Sequence, residues 1–341
     1  MALFSKKSAT PLDGVDVLLA DLDGVVYAGP GAIPHAVESL NRATAEGRRL
    51  GFITNNASRT DASVAAHLSD LGIPTAATDI VTSPQAAMRL LADRIPAGST
   101  VLVVGGEGLV VEVEKAGFVV TRSADDAPAA VVQGFAPEVG WAQLAEAAYA
   151  LALPEDEGGI PWIATNTDWT IPQARGIAPG NGTLVSAVHT AVGRLATVAG
   201  KPEAPIFHAA VARFEARKPL FLGDRLDTDI MGAQAAGIDS AVVLTGIDRP
   251  KHILAAPAHS RPTYILSDLR ELFEPYPETR VKGDTVWVRE AGVRIDGADI
   301  HIVREGDSDI DLLRAAARAI WDTGRQIFGF RVPERLYEDR F

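Results

Sequence analysis

After a short polar lead, the chain carries an unbroken apolar run from Val15 to Ala20 that stops at Asp21-Leu22-Asp23-Gly24. A run of that length without alternation predicts a strand covered on both faces. Apolar residues at helical spacing follow from Pro34 to Glu46. A second run, Leu50 to Ile53, stops at Thr54-Asn55-Asn56, and a second helical pattern spans Asp61 to Leu71. This β-α-β-α order predicts a parallel sheet with covering helices.

From about Pro84 to His189 the alternation continues with a different texture. Val101 to Val104 runs into Gly105-Gly106-Glu107-Gly108 and a helix. Ala129 to Phe135 predicts a buried strand, Trp141 to Ala152 a helix with Trp141, Leu144, Ala148 and Leu151 as its core stripe, and Trp162 to Ala164 a strand. Thr165 to Gly182, rich in Pro and Gly, reads as a loop. After Gly200 the first texture returns: a helix from Ile206 to Arg217, a strand from Pro219 to Leu222, a turn Gly223-Asp224-Arg225 into a helix ending near Gly237, and a strand from Ser240 to Leu244. Tyr264 to Phe273 closes this block as strand and helix. Beyond Arg280, Thr285–Arg289 and Ile300–Arg304 alternate like hairpins, and a helix is expected over Ser308 to Thr323.

The expected architecture is α/β: a doubly wound, Rossmann-like core over residues 11–84 and 190–275, an inserted α/β cap over 85–189, and a small α+β segment over 276–341. A length of 341 residues accommodates these parts. The net charge of −12 argues against a nucleic-acid binder. With no cysteine in the chain, disulfides, thiolate zinc sites and cysteine nucleophiles are excluded. MALFSKKSATPL holds no apolar run of signal-peptide length, and no stretch approaches a membrane span. A cytoplasmic protein without membrane insertion is expected, with a homo-oligomer left open.

In an open α/β sheet, ligands bind at the carboxyl ends of the strands. Asp21 and Asp23, then Thr54, Asn55 and Asn56, then Asp224 and Asp229 all follow strands, and Lys201 opens the helix before the last of these. The topology predicts that they converge on one crevice. Asp21, Asp224 and a backbone carbonyl suit a hard octahedral cation that keeps waters and a phosphate oxygen. Lys201 can hold a phosphate oxygen and keep a nearby carboxylate ionised. The Thr54 hydroxyl and the Asn55 and Asn56 amides can donate to a phosphoryl group. Asp23 is the kind of group that protonates a leaving alkoxide.

Each piece has a plainer reading. DLDG resembles the start of a calcium loop, but the twelfth position is Ala32 where an EF-hand needs Glu. It also reads as a β-turn with two solvated acids. Thr54-Asn55-Asn56 alone is a turn or helix cap, and Lys201 alone is a surface lysine. Gly106-Glu107-Gly108 hints at dinucleotide binding, but the third glycine falls on Val111, so a tight turn is expected. Asn166 and Asp168 either brace the Pro/Gly-rich loop or face a substrate. Arg175 is either a solvated loop charge or a substrate contact.

Taken in order, DLDGVVY, TNNASR, the lysine of GKPEAPIF and GDRLDTDI resemble the four motifs of the haloacid dehalogenase superfamily of phosphatases. The insert, with WIATNTD and PGNGTL, is similar to the α/β cap of its nitrophenylphosphatase-like branch. The resemblance covers about Leu12 to Leu272. It implies that Asp21 is nucleophile and metal ligand, and that Asp23 is general acid/base and lends its carbonyl to the metal. It further implies that Thr54 and Lys201 bind phosphate, with Asn55 and Asn56 beside them as the donors read above, that Asp224 ligates Mg²⁺, and that Asp229 supports the metal site from behind. Thr167 stands where the branch usually has proline.

Within the branch the chain is most similar to actinobacterial glycerol-3-phosphate phosphatases, which share a C-terminal acetyltransferase-like segment. That implies Mg²⁺-dependent hydrolysis of a small phosphorylated metabolite, glycerol 3-phosphate first, through an aspartyl-phosphate, in glycerol metabolism and phospholipid recycling. Phosphatases of 2-phosphoglycolate, pyridoxal phosphate or nucleotides, or a phosphotransferase on the same core, are the alternatives. Asn166, Asp168, Gln173 and Arg175 are the candidate substrate-loop groups.

Overall fold

The computed structural model describes residues 9–173 and 175–341. The opening residues on which the leader reading rests therefore lie largely outside it, as does the side chain of Gln173. The chain forms two compact units, Met1–Gly51 with Phe214–Phe341, and Phe52–Arg213.

In the first unit, strands Tyr264–Leu266, Asp239–Val243, Pro219–Gly223 and Val17–Ala20 lie side by side in that order, all parallel. Arg49 extends the sheet through its N–H to the Asp16 carbonyl. Leu18, Leu19, Phe221 and Leu222 are fully buried, as unalternated runs require when both faces are covered. Ala20 lies opposite Leu222, and the Asp21 N–H donates to the Leu222 carbonyl at 2.8 Å. Asp21 and Gly223-Asp224 therefore leave the sheet side by side. The expected helix after Asp224 begins as a wider turn, a π-helical stretch Leu226–Ile230, and becomes α-helical only over Met231–Ala235.

The C-terminal segment belongs to this unit. Thr279–Lys282, Thr285–Val288, Ala291–Asp296 and Asp299–Arg304 form an antiparallel sheet in chain order. The first of these strands was not legible in the sequence, because all four of its residues are exposed. Helix Asp309–Asp322 packs on that sheet and, on its other side, on Pro250–Ala255 and Tyr264–Leu266. Leu226, Ile230, Val242 and Ile253 share one apolar cluster with Val286, Val293, Leu313 and Ile320. Arg314, buried on the helix, donates to the Ile265 carbonyl, pairs with Asp311 at 2.8 Å and also pairs with Glu271. Burial pushes the Arg314 guanidinium down, but Tyr276, Glu271 and Asp311 outweigh it and hold the group above its ordinary value.

In the second unit, Phe52–Thr54 pairs in parallel with Ile80–Thr82, with Thr54 opposite Thr82. A separate parallel sheet runs Thr197–Val198, Trp162–Ala164, Ala130–Gln133, Thr100–Val104, Val119–Thr121. Glycines 105 and 106 lead into helix Glu107–Lys115. Helix Trp141–Ala150 departs from the expected stripe at its first residue: Trp141 is 79 % exposed, while Leu151 is buried as expected, Leu144 and Ala148 are half-buried and Ala147 is buried. The Thr165–Gly182 loop contains a hairpin, Thr170–Gln173 against Gly176–Pro179, followed by helix Asn181–Val192.

Candidate active site

One cluster forms in the first unit. Asp21, Asp224 and Asp229 each bring a carboxylate oxygen within 4.8 Å of the other two. The main chain holds two of these acids. Asp224 Oδ2 accepts the Ile247 N–H at 2.7 Å. Asp229 Oδ2 accepts the N–H groups of Asp224 and Arg225 at 3.1 and 3.2 Å. These donors offset part of the repulsion among three acids. They also spend one oxygen of each held carboxylate and fix where the other points. The loop Thr245–Asp248 closes around Asp224. A Cβ on Gly246 would lie 2.0 Å from Asp224 Oδ2, and one on Gly24, whose φ is +80°, would lie 2.4 Å away. Thr245 Oγ1 donates to the Gly24 carbonyl at 2.7 Å.

This loop was not singled out in the sequence. Its signal was a Thr-Gly pair directly after an apolar strand. Asp248 completes it by accepting the Leu226 N–H at 2.6 Å. Burial pushes the Asp248 carboxyl above its ordinary value, against the opposing effects of that N–H and of His252. Asp23 is exposed and bridges to Tyr27.

The donor set suits a hard divalent cation. All three candidate ligands are oxygens, and the remaining positions would be left to waters and a phosphate oxygen, the preference of Mg²⁺.

A second cluster forms in the other unit. Thr54 is buried, and its Oγ1 accepts the Asn56 N–H at 3.1 Å. Asn55 Oδ1 accepts the Lys201 N–H at 2.8 Å, and its Nδ2 donates to the Lys201 carbonyl at 3.0 Å. The same Nδ2 lies 3.2 Å from both oxygens of Asp168. Both amide hydrogens of Asn55, expected to face a phosphate, thus have protein acceptors. Asn56 is exposed, and its Oδ1 accepts the Ser58 N–H and hydroxyl. Lys201 is buried and precedes helix Ala204–Phe214 rather than opening it.

Asn166 is buried and used internally. Its Nδ2 donates to the Asn55 carbonyl at 2.8 Å, and its Oδ1 accepts the Asp168 N–H at 3.2 Å. Its carbonyl accepts from Asn181 at 2.7 Å. Arg175 is exposed at the turn of the hairpin.

The chain matches a haloacid dehalogenase-like hydrolase family model over residues 18–119, and a second, HAD-hydrolase-like, over 198–272. It is 42 % identical over 315 residues to the D-glycerol 3-phosphate phosphatase of Mycobacterium tuberculosis, covering 90 % of this chain and 86 % of that one. The chain belongs to the haloacid dehalogenase-like hydrolases. Human chronophin, another relative, is 35 % identical over 275 residues, covering 75 % of this chain and 92 % of its own. A crystal structure of the M. tuberculosis glycerol phosphate phosphatase in complex with magnesium superposes with a TM-score of 0.80 at 40 % identity, over 93 % of this chain and 94 % of that one. The p-nitrophenyl phosphatase of Archaeoglobus fulgidus gives 0.68 at 25 %, over 76 % and 98 %. The family models end at residue 272, so the buried tail helix lies beyond both. Among the described residues no helix is long and apolar enough to cross a membrane.

Proposed function

We propose that this chain is a Mg²⁺-dependent phosphomonoesterase whose substrate is glycerol 3-phosphate and whose nucleophile is Asp21. The carboxylate cluster of Asp21, Asp224 and Asp229 carries the reading. Such a set is costly without a cation and serves phosphoryl transfer with one. The substrate rests on the relative that shares 42 % identity over most of the chain.

Each residue has a separate task. An Asp21 oxygen attacks phosphorus, and the bond from phosphorus to the glycerol oxygen breaks. Asp23 gives its proton to that oxygen. Asp23, now a carboxylate, takes a proton from water, whose oxygen attacks phosphorus and releases Asp21. Asp21 and Asp224 would hold the Mg²⁺, with the Asp23 carbonyl. Asp229 is already bonded to the Asp224 and Arg225 N–H groups and would keep Asp224 in place. When bound, the cation neutralises charge on the phosphoryl oxygens. Thr54, Asn56 and Lys201 are assigned to the phosphoryl group, Asp168 and Arg175 to the substrate loop, and Asn166 to its bracing.

We assign the chemistry to residues 11–84 and 190–275, specificity to 85–189, and support to 276–341. A cytoplasmic location fits this chemistry. The test is kcat/KM with Mg²⁺ across glycerol 3-phosphate, 2-phosphoglycolate, pyridoxal phosphate and a nucleoside monophosphate. Glycerol 3-phosphate should lead. A tenfold lead for another ester, about 1.4 kcal/mol in the transition state, would overturn the substrate but not the phosphatase.

A further inference from the structure

We infer that the Asn55 side chain is a positioning group that fixes the main chain of Lys201 and ties it to the substrate loop, rather than a direct phosphate ligand. The inference rests on the reading of Lys201 as the phosphate-binding lysine. The Asn55 side chain offers Lys201 the donor–acceptor pair that a neighbouring strand would offer. Its Oδ1 meets the Lys201 N–H at 2.8 Å and its Nδ2 the Lys201 carbonyl at 3.0 Å. The contact spans 146 residues of chain and is buried on both sides.

The geometry leaves little room for slip. A Cβ on Gly200 would stand 2.5 Å from Asn55 Oδ1 and 2.5 Å from the Thr165 carbonyl. The lysine segment can approach this closely only because that residue is glycine. Asn55 is itself held from behind, since its carbonyl accepts the Ser83 hydroxyl and the Asn166 amide, each at 2.8 Å.

The remaining amide hydrogen goes to the Asp168 carboxylate. An amide has two hydrogens, and both are taken by protein acceptors. The same group therefore sets the backbone of the lysine and anchors the loop that starts at Asn166. Carboxylate at this position would present an acceptor to the Lys201 carbonyl and a like charge to Asp168. Only an amide satisfies all three neighbours.

The test has a crystal arm and a solution arm. In wild-type crystals with inorganic phosphate bound, the Asn55 side chain should keep both bonds to the Lys201 main chain, with the anion outside hydrogen-bonding reach of Nδ2. Asn55 Nδ2 bonded to phosphate would overturn the inference, whatever the variants do. In solution, Asn55→Ala should lower kcat/KM for glycerol 3-phosphate by about 10²-fold, the scale of a misplaced binding group. It should raise the inhibition constant of inorganic phosphate and expose the Lys201 amide to hydrogen exchange. A folded Asn55→Ala protein with unchanged phosphate inhibition and unchanged Lys201 exchange would overturn the inference. Wild-type protein that binds no phosphate and hydrolyses no phosphomonoester would instead overturn the phosphatase reading, and this role with it.

Discussion

Two turns carry the candidate chemistry, and each is fixed in a different way. The carboxylate turn of the first unit is held locally: Asp229 accepts the main-chain N–H groups of Asp224 and Arg225, and Asp224 accepts that of Ile247. The lysine turn of the second unit is held at long range, by an asparagine side chain that pairs with the Lys201 backbone across 146 residues. Acids gathered in one place need donors to offset their repulsion, and the nearest backbone supplies them. A lysine needs its stem aimed, and a rigid amide on its main chain does that. The first draws two of its three donors from the turn itself and the third from the Ile247 loop, while the second draws on a side chain 146 residues away.

The largest expected effect comes from the first turn. Asp21→Asn removes the nucleophile and a metal charge together, and should lower turnover by about 10⁴-fold or more. Near-normal steady-state turnover in a folded Asp21→Asn protein would break the comparison at its first term. Asp23→Asn should cost about 10²–10⁴-fold on glycerol 3-phosphate. The loss should be smaller with nitrophenyl phosphate, whose leaving group needs no proton. Equal losses on the two esters would remove Asp23 from the acid role.

The carboxylate turn also leans on the tail, since Leu226 and Ile230 share the apolar cluster of helix Asp309–Asp322. Arg314→Ala removes the buried cation between Asp311 and Glu271, leaving Asp311 only the half-exposed Arg289 and Glu271 only Ser267. It should destabilise the protein by about 3–5 kcal/mol in urea unfolding, the cost of breaking a buried pair. A midpoint unchanged from wild type would show that the tail does not support this unit.

Gly246→Ala sharpens the comparison at lower cost, because the added Cβ would fall 2.0 Å from Asp224 Oδ2. Mg²⁺ affinity, read from the Mg²⁺-dependent rise in melting temperature, should fall by about 10–100-fold. Phosphate binding in the absence of metal should change less, since the lysine turn is not touched.

The smallest effect is expected at Asp16, just before strand Val17–Ala20. Burial pushes its carboxyl up, but the N–H groups of Arg217 and Lys218 outweigh this and hold it below its ordinary value. Those N–H bonds measure 2.8 and 2.9 Å. Asp16→Ala should cost about 1 kcal/mol near neutral pH. Because the folded value is lowered, that contribution is complete above the ordinary range near about 4 and is lost as pH falls through the folded value. The wild-type and variant urea midpoints should converge in acid; a constant gap would contradict the assignment.

Much of the fold was legible in the sequence because the signals are local. Apolar runs ending in Asp21, Thr54 and Asp224 marked strand ends, and the Gly-Asp-Arg turn marked the first cluster. The loop around Gly246 escaped notice because its function appears only when Asp224 packs against it. Asn55 was legible as a site residue but not as a partner of Lys201, since nothing in a run of two asparagines records a contact 146 residues away. Trp141 misled because an aromatic residue at helical spacing suggests a core, while the buried side of the helix runs through Leu144, Ala147 and Leu151 and leaves Trp141 exposed. The tail's opening strand, fully exposed, carried no alternation to read.

The central claim is that phosphoryl transfer passes through the Asp21 carboxylate. The most direct measurement is an acid quench during steady-state hydrolysis of glycerol 3-phosphate with Mg²⁺, followed by peptide mass spectrometry. The account predicts an acid-stable, hydroxylamine-labile phosphate on the peptide that carries Asp21, absent from Asp21→Asn. Turnover at the wild-type rate with the phosphate on another residue would contradict it.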